Sequence, residues 1–357
     1  CISIYVNFLR KTKHKSTQYC GEKRMQDIDF IVSIEEDREI RILQLTDTQI
    51  IDSSQSRTAG RLSMELMLRW DKRQLESCLF QYIRDVIKQT KPDLILVTGD
   101  IVYGEFDDDG SSLIAFIEHM DSYGIPWAPI YGNHDNESKK GAFWQNEQFL
   151  QSKYCLFKKG TTDGNGNYTI GIMQGGKLIR VFYMMDSNGC VNTFNPVEND
   201  VVCAYNFTDR QIDWLHACMR VIASKNGGNI PSSVCMHKPI RDFDRANEKY
   251  SSQKPVFTLG RDLMGVEGDF GSLRRRIKGL TVGTSDDEGF RCLLKQYGVD
   301  SVFAGHLHET NTSVVYDGIR WTFGLKTGVY DSYTDGEVGG TLITLFNDTF
   351  KVKHVYY

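Results

Sequence analysis

No run of about 18 apolar residues occurs in the sequence, so no complete membrane-spanning helix is expected in it. Its nine cysteines show no CxxC or CxxH spacing, which argues against a zinc ribbon and a disulfide-dense scaffold. Scattered thiols in odd number leave at least one unpaired within the chain and favour a reducing, cytoplasmic compartment. Strong charge of either sign is missing too. A formal net charge of -4 and a pI near 6.1 give no global attraction to polyanions, so a nucleic-acid scaffold is not expected. There is no GxSxG for a serine hydrolase, and no strand leads into GxGxxG for a dinucleotide. Internal repeats and low-complexity stretches are absent, and no feature fixes an oligomeric state.

What is present is an ordinary globular composition. The 357 residues, 40% hydrophobic and 25% charged, suit one large domain over 39–357 after an N-terminal tail or edge segment, 1–38. That segment opens without Met on CISIYVNFL and a basic run, RKTKHK. It reads as the end of a removed anchor, an upstream artefact or a surface tail. Apolar runs predict strands at 41–46, 94–98, 127–131, 179–185, 233–236 and 301–304, and amphipathic spacing predicts helices near 68–89, 111–123, 141–150, 208–223 and 286–297. Hairpins are expected to turn at Asp317-Gly318 and Asn347-Asp348, and another around 163-DGNGN-167. Residues 241–285 read as an irregular insertion carrying Arg274, Arg275 and Arg276. This basic run is either a solvated face or a cover over the site that meets an anionic substrate.

Five apolar runs each end in a potential metal ligand: Thr46-Asp47, 98-TGDIVYG-104, 131-YGNHDNE-137, 234-VCMHKP-239 and 304-AGHLHE-309. Ligands at the carboxyl ends of strands share one edge of a sheet, so positions distant in sequence can converge. Two cations about 3.5–4 Å apart need a bridging carboxylate, and a mixed carboxylate, imidazole and amide-oxygen set suits Fe, Zn or Mn. Asp100 is the natural bridge. Asp47 and His308 would complete one ion, and Asn133, His237 and His306 the other.

In this order the blocks resemble the calcineurin-like metallophosphoesterases, whose pattern is DxH, GD, GNH(D/E), a later His and GHxH. The resemblance runs from Asp47 to His308. It implies a four-layer α/β/β/α sandwich of two mixed sheets flanked by helices, a two-metal centre and a phosphate-ester substrate. It also implies that the ions clamp phosphoryl oxygens and acidify a bound water for in-line attack. His134 would then protonate the leaving oxygen, with Asp135 orienting its imidazole.

The departure is Gln49, where the family places histidine on the first metal. Purple acid phosphatases, one branch, lack that histidine and take a tyrosine from GDxxY; 99-GDIVY-103 makes Tyr103 the matching candidate. Gln49 is the other candidate, through its amide oxygen. The expected activity is a phosphomonoesterase, with a nucleotide phosphodiesterase and a non-catalytic scaffold of the same fold as alternatives.

Overall fold

Successive side chains of a strand point to opposite faces, and over 181–185 that alternation divides two apolar cores. Phe182 and Met184 join one cluster, and Val181, Tyr183 and Met185 the other. The computed structural model describes residues 2–6, 27–52, 72–189, 193–195, 200–202, 207–253, 270–271, 284–329, 331, 333–346 and 349–357. In chain order these form β1 (Ile2–Val6), β2 (Phe30–Ile34), β3 (Ile40–Leu45), α1 (Lys72–Thr90), β4 (Leu94–Thr98), α2 (Ser111–Asp121), β5 (Trp127–Ile130), α3 (Gly141–Gln151), β6 (Asn167–Gln174), β7 (Lys177–Met185), β8 (Thr193–Asn195), β9 (Asp200–Val202), α4 (Asp209–Asn226), β10 (Ser232–Cys235), α5 (Arg241–Gln253), α6 (Asp287–Gln296), β11 (Val299–Ala304), β12 (Ser313–Tyr316), β13 (Ile319–Phe323), β14 (Gly339–Phe346) and β15 (Thr349–Tyr356).

An 8-stranded sheet has the order β1-β2-β6-β7-β10-β11-β13-β12, and a 5-stranded sheet the order β15-β14-β3-β4-β5. Both are mixed. Strands β3, β4 and β5 run parallel in the small sheet, as do β7, β10, β11 and β13 in the large one. One core lies between the sheets and under α1, α2 and α3, with Leu79, Ile83, Phe116 and Phe149 contributing. The second packs α4, α5 and α6 on the far face of the large sheet through Leu215, Met219, Phe243 and Phe290. The result is four layers, α/β/β/α. Among the described residues no helix is long and apolar enough to cross a membrane.

Local chemistry sets the element ends. Helix α4 starts on a capping box, in which Thr208 and Gln211 each accept from the other's backbone N–H, and it stops at Gly227 with φ 72°. Its core positions Leu215, Met219 and Ile222 recur at helical spacing.

Three expectations change. Residues 163–167 do not turn a hairpin; they form the loop entering β6. The hairpin from β6 to β7 turns at Gly175 and Gly176, with φ 53° and 77°, because a two-residue connection needs both central residues at positive φ. The start of the expected irregular insertion is helix α5. Finally, Phe30–Ile34, in the stretch read as tail or edge, is a strand paired in parallel with β6.

Candidate metal centre

Each expected ligand follows the carboxyl end of a parallel strand: Asp47 after β3, Asp100 after β4, Asn133 after β5, His237 after β10, and His306 and His308 after β11. The two sheets present these ends to each other. The turns are tight and unusual, since Asp47, Gln49, Asp100 and His306 have φ of 52°, 46°, 50° and 74°. Non-glycine residues in this left-handed region carry strain of about 1–3 kcal/mol each and gather at functional sites. The glycine preceding a ligand makes room for the neighbouring one. A Cβ on Gly132 would lie 2.2 Å from Asp100 Oδ1, and one on Gly305 would lie 2.7 Å from Asp47 Oδ2.

The side chains converge in two groups that share Asp100. Asp100, His237 and His306 form one, and Asp47, Asp100 and His308 the other, with ligand atoms within 4.8 Å of one another in each group. His237 Nδ1 faces the Thr98 carbonyl at 2.8 Å, which makes it the protonated nitrogen and turns Nε2 toward Asp100 Oδ2 at 3.2 Å. His308 Nε2 lies 3.1 Å from Asp47 Oδ1. Asp47 Oδ2 accepts from Thr46 Oγ1 at 2.7 Å and from the His306 backbone N–H at 3.0 Å.

Burial pushes Asp100 up, but His237, His134 and His306 hold its carboxyl well below the usual range. Asp47 is likewise lowered by His237 and His308 against the effect of burial. Burial would lower His237, yet Asp100 and Asp47 raise it to about 9. His306 is pushed down to about 3 by burial and by His237.

Whether metal fits is decided by the polar atoms left over. Asn133 Oδ1 is buried without a hydrogen-bond partner, and the buried Asp100 Oδ2 and His237 Nε2 face each other at 3.2 Å with no other partner. Such atoms are costly to leave unmatched, and lone pairs of this kind are what a cation binds. The donor set therefore fits divalent or trivalent cations.

His134 stands beside this edge. Its backbone N–H donates to Asp100 Oδ1 at 2.8 Å, its Nδ1 is 2.7 Å from Glu137 Oε2, and its ring stacks on Tyr103 at 4.6 Å and 18°. The expected role of Asp135 is corrected here. Its carboxylate accepts from the backbone N–H groups of Ile101, Val102 and Gly132 at 2.8, 3.0 and 2.7 Å. It thus ties the β4 loop to the β5 loop, and Glu137 is the acid on the imidazole. Burial and the nearby Asp100 push Asp135 up to about 7. Tyr103 is 1% exposed, packed between the His134 ring and Phe106.

Gln49 has a partner of its own. Its Oε1 accepts from Lys326 Nζ at 2.6 Å, and exchanging the amide's oxygen and nitrogen would set two donors against each other. The oxygen therefore faces the lysine with one of its two lone pairs. Lys326 also donates to the Asp47 carbonyl at 3.2 Å. Asp186, Ser187 and Asn188, following β7, reach the same region, with the Lys238 backbone N–H donating to Ser187 Oγ at 2.8 Å. Arg274, Arg275 and Arg276 lie outside the described residues.

Sequence reasoning missed Lys326 and the pairing of Glu137. Glu137 could have been found, since it lies three positions beyond His134 in a turn-forming NHDNE run. Lys326 in 323-FGLKTG-328 carries no such signal.

The sequence profile described as calcineurin-like phosphoesterase matches residues 40–310. A relative from Arabidopsis thaliana, "Probable inactive purple acid phosphatase 14", is 26% identical over 72% of this chain and 63% of its own length. "Phosphatase DCR2" from Saccharomyces cerevisiae is 29% identical over 64% of this chain and 38% of its own. The chain thus spans less than two thirds of these relatives. A dimetal phosphatase from Danio rerio superposes with a TM-score of 0.52 at 13% identity, covering 88% of this chain and 95% of that one; this likeness concerns the fold.

Proposed function

The chain belongs to the calcineurin-like phosphoesterase family, and on that footing we propose that it is a two-metal phosphomonoesterase whose catalytic domain spans 39–357. One observation carries this reading: Asp100, shared by two convergent ligand groups, faces His237 Nε2 with its buried Oδ2, while Asn133 Oδ1, on the loop after β5, is buried without a hydrogen-bond partner. Asp47, Asp100 and His308 would hold one ion, and Asp100, Asn133, His237 and His306 the other, drawn from Fe, Zn and Mn. When bound, such a pair supplies charge neutralisation for a phosphoryl group and an acidified water.

The remaining steps belong to the chain. With Nδ1–H donated to Glu137, His134 carries its transferable proton on Nε2 and delivers it to the leaving oxygen. The Glu137 carboxylate orients the ring, while the Tyr103 stack fixes its plane. Tyr103 serves as that stacking partner. Neutral Asn133 adds an oxygen donor without adding negative charge, which keeps the site receptive to an anionic ester. Asp135 acts one step removed by holding the loops of Asp100 and His134 together.

The test compares 4-nitrophenyl phosphate with bis(4-nitrophenyl) phosphate on metal-loaded protein. Faster hydrolysis of the monoester is expected. A faster diester reaction would assign a phosphodiesterase, and hydrolysis of neither would return the chain to a scaffold, a reading to which the word "inactive" in a relative's name gives weight.

A further inference from the structure

Lys326 is 2% exposed, and its Nζ ends beside the first of the two ligand groups, 2.6 Å from Gln49 Oε1 and 3.2 Å from the Asp47 carbonyl. A buried amine of this kind is costly unless it is paired. Gln49 meets that need at a cost of its own, because its Nε2 is buried with no partner. The arrangement also occupies the one position where the sequence departs from the ligand pattern. A cation is poorly served there: the glutamine oxygen already accepts from the lysine, its nitrogen is a donor only, and the lysine brings its own positive charge and presents N–H groups to both acceptors.

The two positions are therefore unequal. Around the second, Asn133, His237 and His306 join the shared Asp100, and His237 is held in register by the Thr98 carbonyl at 2.8 Å. Around the first, among the described residues, Asp47 and His308 join it, and Asp47 already spends Oδ2 on Thr46 and the His306 backbone. We propose that the Lys326–Gln49 pair makes the first metal position the weaker one, so that the protein keeps one ion in the second position and exchanges the other with its surroundings. Lys326 is then a positioning residue that sets how much free metal the site needs. The inference rests on the two-metal reading given above.

The experiment is calorimetric titration of the chelator-treated full chain with Mn²⁺ at fixed pH. Wild type should show two binding events separated by about 10–100-fold, the range over which groups that hold ligands tune metal affinity. His237→Ala should abolish the tighter event. Lys326→Met, which frees the Gln49 oxygen, should tighten the weaker event by about tenfold or more and leave the tighter one in place. Should the methionine variant fail to melt cooperatively, Gln49→Glu is the second test. Its added carboxylate oxygen keeps the lysine partnered and supplies a lone pair, so it too should tighten the weaker event. Two events of equal affinity in wild type, or a weaker event untouched by the folded variants, would overturn the inference while leaving the two-metal reading intact. No binding at all would overturn both.

Discussion

Asp100 touches every part of the proposed chemistry: His237 on Oδ2, the His134 backbone on Oδ1, and both ligand groups. His134 is different, because its imidazole is held by Glu137 and Tyr103 and does not belong to either group. His134→Ala should therefore keep its metal content by elemental analysis while turnover falls by about 10²–10⁴-fold, the usual worth of general acid catalysis. His237 gives a proton signature. In metal-free protein its pKa is raised to about 9, so the ring is charged at neutral pH, whereas a ligating imidazole is neutral. Metal binding at pH 7 should release about one proton, seen as a dependence of calorimetric heat on buffer ionisation enthalpy. The sign for stability follows: a raised folded pKa adds stability that is full below the unfolded value of about 6.5 and is lost as pH rises through about 9. Melting of the metal-free protein should accordingly drop across that window. At this scale Asp47, Asp100, His237, His306 and His308, which the structure brings together, were readable in sequence, because carboxylate and imidazole each stand at the end of an apolar run. Lys326 was not, since a lysine between Leu325 and Thr327 looks like an ordinary surface residue until its burial is seen.

Elements were readable where apolar patterning is strong. The runs at β3, β4 and β11 and the capped α4 declared themselves, whereas α5, with the sequence RDFDRANEKYSSQ, carries too few apolar residues to stand out as a core-facing helix. What anchors it is a few residues, chiefly Phe243, whose ring lies 5.4 Å from Trp321 and 4.7 Å from Phe323. Phe243→Ala should cost about 3–5 kcal/mol in urea unfolding, as for other buried aromatic truncations. The glycine-rich 163-DGNGN-167 misled for the opposite reason. It has turn composition, but its backbone is used to meet Asp186, which accepts from the Asn165 N–H at 2.7 Å. Strand β2 escaped because FIVSI follows a polar stretch and has no turn signal to set it off.

At the scale of the whole molecule, two parallel strand sets from different sheets bring their carboxyl ends together, and that arrangement lets ligands spread from Asp47 to His308 share one site. Order along the chain gave this convergence away, because sheet edges collect strand ends. Pairing of the sheets face to face depends on side-chain alternation summed over many strands; periodicity did not show it, the family resemblance implied it, and the structure bears it out. The most direct measurement is hydrolysis of 4-nitrophenyl phosphate by metal-reloaded wild type beside Asp100→Asn, with near-ultraviolet circular dichroism confirming that both are folded. The account predicts turnover in wild type that needs added metal and is lost in the variant. Equal rates in the two, or wild-type turnover that persists undiminished after chelation, would contradict it.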